Sequence, residues 1–201
     1  MKALIIGGFL GAGKTSIVLQ LARYIVENTV SDSEYKIAII ENEVGEVGVD
    51  DVALRGGGYE VKNLFAGCAC CTSSGEIPAT VEMIRRDLNP EWIVLEPTGV
   101  AYPLSIRNTL RDACDTPSTI CITIDAKRWQ RFLVPMANIL TGQLEDASTI
   151  LINKIDLVSE EELAEIIESV RSYNSTATII PVCAAEKIDD SVWEHILGTV
   201  S

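Results

Sequence analysis

The stretch Ala3-Leu4-Ile5-Ile6-Gly7-Gly8-Phe9-Leu10-Gly11-Ala12-Gly13-Lys14-Thr15-Ser16 decides the fold of this chain. Its first four residues are an unbroken apolar run, as a strand buried on both faces of a parallel sheet requires. Residues 8–15 then match GxxxxGK[ST], a phosphate-binding loop. After it, Ile17, Val18, Leu21, Ala22, Ile25 and Val26 recur at helical spacing. A strand, a glycine-rich loop and a helix in this order turn successive backbone N–H groups toward a phosphate, and the helix N-terminus adds partial positive charge. Gly8, Gly11, Ala12 and Gly13 are expected to cradle it, with Ser16 close behind. Lys14 is expected to reach the β- and γ-phosphates, and the Thr15 hydroxyl to ligate Mg²⁺.

Working outward, five further apolar runs read as buried strands: 37–40, 92–95, 120–124, 149–152 and 178–182. Helical patterns near 15–27, 76–88, 104–113, 163–171 and 191–197 lie between most of them. This alternation predicts an α/β fold of three layers, a mostly parallel central sheet with helices on both faces. Ser159 and Glu162 form a capping-box pair ahead of the stripe Leu163, Ile166, Ile167 and Val170. Residues 41–75 break the rhythm. Val52–Leu64 reads as a hairpin turning at Gly56-Gly57-Gly58, inside an insertion in a single domain spanning 1–201.

Sixteen Lys and Arg stand against 29 Asp and Glu, a net charge of −13. Such a surface repels nucleic acid and anionic lipid, so neither is an expected partner. No apolar run approaches membrane-spanning length, and a cytoplasmic location is expected. Thiols are then expected reduced, which turns attention to any that cluster.

Asn153-Lys154-Ile155-Asp156 directly follows the run 149–152. In this NKxD pattern the Asp156 carboxylate accepts from the N1–H and the exocyclic amine of guanine. Adenine offers neither donor there, and a polar mismatch of this type discriminates by roughly 10⁴-fold. The Lys154 stem is expected to cover one face of the base with its ammonium in water. Cys183 and Ala184, after the last strand, are candidates to bring a backbone N–H to the guanine carbonyl; an ordinary loop is the alternative.

Gly67-Cys68-Ala69-Cys70-Cys71 puts three thiols within four residues. Vicinal cysteines would make a strained disulfide, whereas clustered thiolates suit Zn²⁺, Co²⁺ or another transition metal. Three sulfurs leave a tetrahedral ion one ligand short. The alternatives are a structural zinc staple and a redox-active thiol group. Cys114, Cys121 and Cys183 read as core or near-core fillers.

Together these motifs resemble the CobW-like metallochaperone GTPases, relatives of the nickel-insertion GTPases of hydrogenase and urease maturation in the SIMIBI class. The resemblance rests on GGFLGAGKTS, IENEVGEVGVDD at 40–51, GCACC at 67–71, LEPTG at 95–99 and NKID at 153–156. It implies GTP and GDP as ligands, Glu96 as the Walker B carboxylate, and a Gly99 N–H directed to the γ-phosphate. It further implies metal binding by Cys68, Cys70 and Cys71, with Glu41 or Glu46 as additional ligands in a switch segment. Pro97 stands where the family usually has a small polar residue. Many members carry a second, C-terminal domain, often rich in histidine, and the expectation here is a GTPase domain without a client-binding one. A client metalloprotein, a separate partner supplying that domain, and a nucleotide-dependent homodimer are the implied partners. The alternative function is a GTP-dependent protein-binding switch assisting a metalloenzyme, its zinc only structural.

Overall fold

Four strands form the centre of the sheet: β1 (Lys2–Gly7), β4 (Trp92–Glu96), β5 (Ser118–Asp125) and β6 (Thr149–Asn153). Every residue in them is buried except Lys2 at the start of β1. The unbroken apolar runs have this cause, since a strand with helices on both sides has no face for water. The computed structural model describes residues 1–29, 35–41, 59–63 and 76–200. Within them, seven strands pair in the order β3-β2-β4-β1-β5-β6-β7, all parallel. β2 is Ile37–Glu41, β3 is Tyr59–Asn63 and β7 is Thr178–Pro181. β7, at the edge, is only partly buried.

Tyr59–Asn63, within the expected hairpin, pairs with β2 in parallel register and is the outermost strand of the sheet among the described residues. The proposed turn at 56–58 and the first arm lie outside the described residues.

Helices α1 (Lys14–Asn28) and α7 (Asp190–Gly198) cover one face, where Ile17, Leu21, Ile25, Trp193 and Ile196 pack on Leu4, Ile6, Ile39 and Val94. The other face holds α2 (Glu76–Asp87), α3 (Pro103–Cys114), α4 (Trp129–Phe132), α5 (Ala137–Leu144) and α6 (Glu160–Tyr173). Alternate residues of each strand feed the two cores, Ala3 and Ile5 one way, Leu4 and Ile6 the other. The three-layer expectation holds.

α6 begins at Glu160, a turn before its apolar stripe, because its first turn is three exposed glutamates. Its capping box is present: Ser159 Oγ accepts from Glu162 N at 3.1 Å, and Ser159 N donates to Glu162 Oε2 at 2.8 Å. The short helices α4 and α5 carried no clear signal, since Pro135 divides a segment whose apolar residues follow no single period. Among the described residues no helix is long and apolar enough to cross a membrane.

Candidate nucleotide site

The carboxyl ends of β1, β4, β5 and β6 bring the chemical groups of the site together, as open α/β sheets do with their ligands. Gly8, Gly11 and Gly13 all have positive φ. Gly13, at φ +96°, caps α1, and a Cβ there would collide with the Asn153 side-chain amide. Only glycine permits both that conformation and that approach. Lys14 opens α1 and is buried, its Nζ 3.8 Å from Glu96 Oε1. Thr15 Oγ1 donates to the same oxygen at 3.3 Å. Glu96, the last residue of β4, is buried too.

Gly99 lies against the loop; a Cβ on it would come 2.6 Å from Leu10 N. Gln143 of α5 fixes this turn by donating to Gly99 O at 3.0 Å and Ala101 O at 3.2 Å. Thus the segment after Glu96 and the phosphate loop touch at the tip.

The NKxD turn meets the loop from the other side. Asn153 Nδ2 donates to Ala12 O at 2.8 Å, while its Oδ1 accepts from Lys154 N at 2.8 Å and Ala184 N at 2.9 Å. A left-handed Lys154 (φ +65°) turns the chain into the 3₁₀ turn Ile155–Leu157, leaving Asp156 exposed. The Lys154 ammonium is not simply in water, contrary to expectation. It donates to Gly11 O and to Asp125 Oδ2, both at 2.7 Å.

Asp125 ends β5 in register with Asn153, and it also accepts from Arg128 N at 3.1 Å and Arg128 Nε at 2.8 Å. Burial works against its charge, but the hydrogen bonds from Lys154 and Arg128 prevail and hold the carboxyl below its usual range. Cys183 is not core filling either. It is partly exposed, and its thiol donates to Asp156 Oδ1 at 3.2 Å. That hydrogen bond is the main reason its pKa is raised, burial adding to it. Gln20 of α1 pins the loop that carries Cys183, donating to Ala184 O and Glu186 O and accepting from Ile188 N.

A glycine loop leading into a helix that opens on a buried lysine is a phosphate-binding design shared by many folds. The model of one family, described as "CobW/HypB/UreG, nucleotide-binding domain", matches residues 2–181. The chain belongs to this family. The match is to the family's nucleotide-binding domain, and the phosphate loop lies within it.

Among curated proteins, the "Zinc-regulated GTPase metalloprotein activator 1" of Schizosaccharomyces pombe is 33% identical over 192 residues, covering 88% of this chain and 44% of that protein. The "Zinc chaperone YeiR" of Escherichia coli is 30% identical over 162 residues, covering 78% and 47%. The chain thus spans about half the length of these relatives. Among solved structures, zinc-bound YjiA GTPase from Escherichia coli superposes with a TM-score of 0.65 at 24% identity, covering all of this chain and 63% of that one. HypB from Helicobacter pylori, in complex with nickel, gives 0.60 at 14%, covering 96% and 82%. These likenesses show the fold.

Of the candidate residues, Gly8, Gly11, Ala12, Gly13, Lys14, Thr15, Ser16, Glu96, Gly99, Asn153, Lys154, Asp156, Cys183 and Ala184 gather at this one sheet edge. The Ala184 amide is taken up by Asn153 Oδ1, and the Ala185 N–H is directed at the Cys183 sulfur. Glu46, Cys68, Cys70 and Cys71 lie outside the described residues. Of Glu41 the backbone alone is described, in register with Glu96 on the adjacent strand. Among the described residues no three His, Cys, Asp or Glu side chains are grouped to hold a metal. Cys121 and Cys114 are buried, and burial pushes their thiols up, Cys121 to about 12. Sequence reasoning missed Gln20, Asp125, Arg128 and Gln143. Asp125 did leave a signal: a carboxylate closing an apolar strand at the sheet's carboxyl edge.

Proposed function

We propose that this domain binds and hydrolyses GTP as part of a metallochaperone, coupling the nucleotide state to a metal held by Cys68, Cys70 and Cys71. The observation that carries the reading is the register of Glu41 with Glu96. It starts the segment leading to the three thiols one strand away from the carboxylate beside Lys14 and Thr15. A change at the γ-phosphate would act on the thiols by ordering or releasing that segment.

Phosphates would be held by the loop amides, by Lys14 and by the Gly99 N–H. Thr15 Oγ1 and the Glu96 carboxylate are hard oxygen donors 3.3 Å apart, a set that suits Mg²⁺. When bound, Mg²⁺ draws off negative charge from the phosphate oxygens. Asp156 would read the guanine N1–H and amine. The Lys154 stem would cover the base while its ammonium stays on Gly11 O. Lys14, buried beside Glu96, would meet the phosphates with little solvent to screen the contact.

The cargo is treated as substrate. Zinc is its best candidate: curated relatives are named zinc chaperones, and thiolates suit it. Glu41 or Glu46 would complete the coordination, and a client metalloprotein would receive the ion.

The test is a titration of Zn²⁺ into the reduced protein against a chromogenic competitor, with GDP–Mg²⁺ and then with a non-hydrolysable GTP analogue. The expected result is a several-fold difference in affinity between nucleotides, absent from a variant carrying serine at 68, 70 and 71. Equal affinity in both states would make the zinc a staple, and the domain a switch for a protein partner.

A further inference from the structure

Four consecutive carbonyl oxygens of the phosphate loop are tied by hydrogen bonds. Phe9 O accepts from Ala12 N at 3.1 Å, Leu10 O from Arg128 Nη2 at 2.6 Å, Gly11 O from Lys154 Nζ at 2.7 Å and Ala12 O from Asn153 Nδ2 at 2.8 Å. A peptide unit that points its carbonyl outward points its N–H inward. Amide hydrogens attract a phosphate and carbonyl oxygens repel it, so the ties on Leu10 O and Ala12 O, whose peptide units carry the N–H groups of Gly11 and Gly13, favour the anion-accepting shape of the loop, while the Ala12 N–H closes its turn on Phe9 O. Lys154 and Asn153 belong to the NKxD turn. Arg128 belongs to no motif.

We propose that Arg128 is a positioning residue of the nucleotide site, holding the Leu10 carbonyl outward so that the loop stays preorganised for phosphate. This rests on the guanine-nucleotide reading above and adds to it a fourth support for the loop. The placement of the guanidinium is overdetermined. Asp125 accepts from both the main chain and Nε of Arg128, and the guanidinium sits 5.4 Å from the centre of the Phe132 ring. Phe132 in turn stacks on Phe9 of the loop, with centroids 4.8 Å apart and planes 18° apart. A Cβ on Gly11 would come 2.9 Å from Arg128 Nη2, so the contact follows the loop surface closely.

Asp125 joins the two cationic holders. The same buried carboxylate takes Lys154 and Arg128, so the Leu10 and Gly11 carbonyls are fixed from one anchor. In a chain of net charge −13, two cations kept at the loop also raise the local potential for a triphosphate.

The experiment compares wild type, Arg128→Ala, Arg128→Lys and Arg131→Ala by equilibrium titration with fluorescent GDP, a non-hydrolysable GTP analogue and ADP, together with steady-state hydrolysis and thermal melts. Arg131 is exposed, carries the same charge on the same segment, and forms no ion pair among the described residues. Loss of one charge-assisted hydrogen bond is expected to raise Kd for GDP and the GTP analogue about tenfold in Arg128→Ala. KM should rise with kcat at saturation little changed. Arg128→Lys should recover part of the affinity, because an ammonium can serve one acceptor but lacks the fork. Arg131→Ala should bind like wild type, and the preference for GDP over ADP should survive in every variant.

Equal nucleotide affinity in Arg128→Ala and wild type would overturn the proposal. So would equal losses in Arg128→Ala and Arg131→Ala, which would reduce the effect to net charge. If Arg128→Ala does not fold, Arg128→Gln takes its place; a glutamine variant that melts like wild type and binds GDP and the GTP analogue equally well would overturn the proposal, and weaker binding at an unchanged melting temperature would support it. A wild type that binds GDP no better than ADP would sink the guanine reading instead, and the Arg128 comparison would be made on the nucleotide that does bind.

Discussion

Asn153 and Ala12, 141 residues apart in sequence, share a buried hydrogen bond of 2.8 Å. It links the turn that would read the base to the loop that would hold the phosphates. Asn153→Asp places an oxygen against the Ala12 carbonyl, and Asn153→Ala leaves that carbonyl buried and unmet. Both substitutions are expected to raise Kd for GDP by roughly ten- to a hundredfold. Fluorescent-nucleotide titration with a thermal melt checks this; unchanged affinity in a folded variant would show that the two elements act separately.

Asp156 should decide the choice of base. Xanthine replaces the guanine amine with a carbonyl, so Asp156→Asn, which supplies an amide donor, should exchange one preference for the other. Competition between GDP and xanthosine diphosphate measures it. A variant that still prefers GDP would remove Asp156 from the base site.

Asp125 should make part of the stability depend on pH. Its carboxyl titrates below the usual range in the folded protein, so the unfolded chain binds the proton more readily. The contribution is fully present above the unfolded pKa of about 4. It is lost as pH falls through the lower folded value. Asp125→Asn should therefore melt below wild type at pH 7, and the gap should close in strongly acidic buffer. A gap independent of pH would point to lost packing rather than lost charge.

The Cys183 thiol should alkylate slowly at pH 8, since its hydrogen bond to Asp156 raises its pKa and the thiolate is the nucleophile. In a background with serine at 68, 70 and 71, Asp156→Asn should speed the reaction and GDP should slow it. Mass spectrometry of the modified peptide reports both. No protection by GDP would place Cys183 away from the base.

Much of this fold was legible because its strands are buried on both faces and so read as plain apolar runs, as at Ile150–Ile152. The phosphate loop and NKxD were legible because contiguous residues carry their chemistry. Gln20, Asp125, Arg128 and Gln143 were not, since each acts across the fold on backbone groups that no spacing reveals. The parallel pairing of β3 with β2 was not legible, because Tyr59–Asn63 alternates apolar and polar residues, a pattern that does not say which strand will pair with it. The Lys154 ammonium was assigned to water because its partner Asp125 lies 29 residues away.

The most direct measurement is the affinity of the non-hydrolysable GTP analogue with and without saturating Zn²⁺, by calorimetry on the reduced protein. Linkage requires zinc to change nucleotide affinity by the same factor that nucleotide changes zinc affinity. A several-fold shift for the analogue relative to GDP, lost when Cys68, Cys70 and Cys71 are serine, is the expected result. Identical analogue and GDP responses to zinc would contradict a nucleotide-gated metal site.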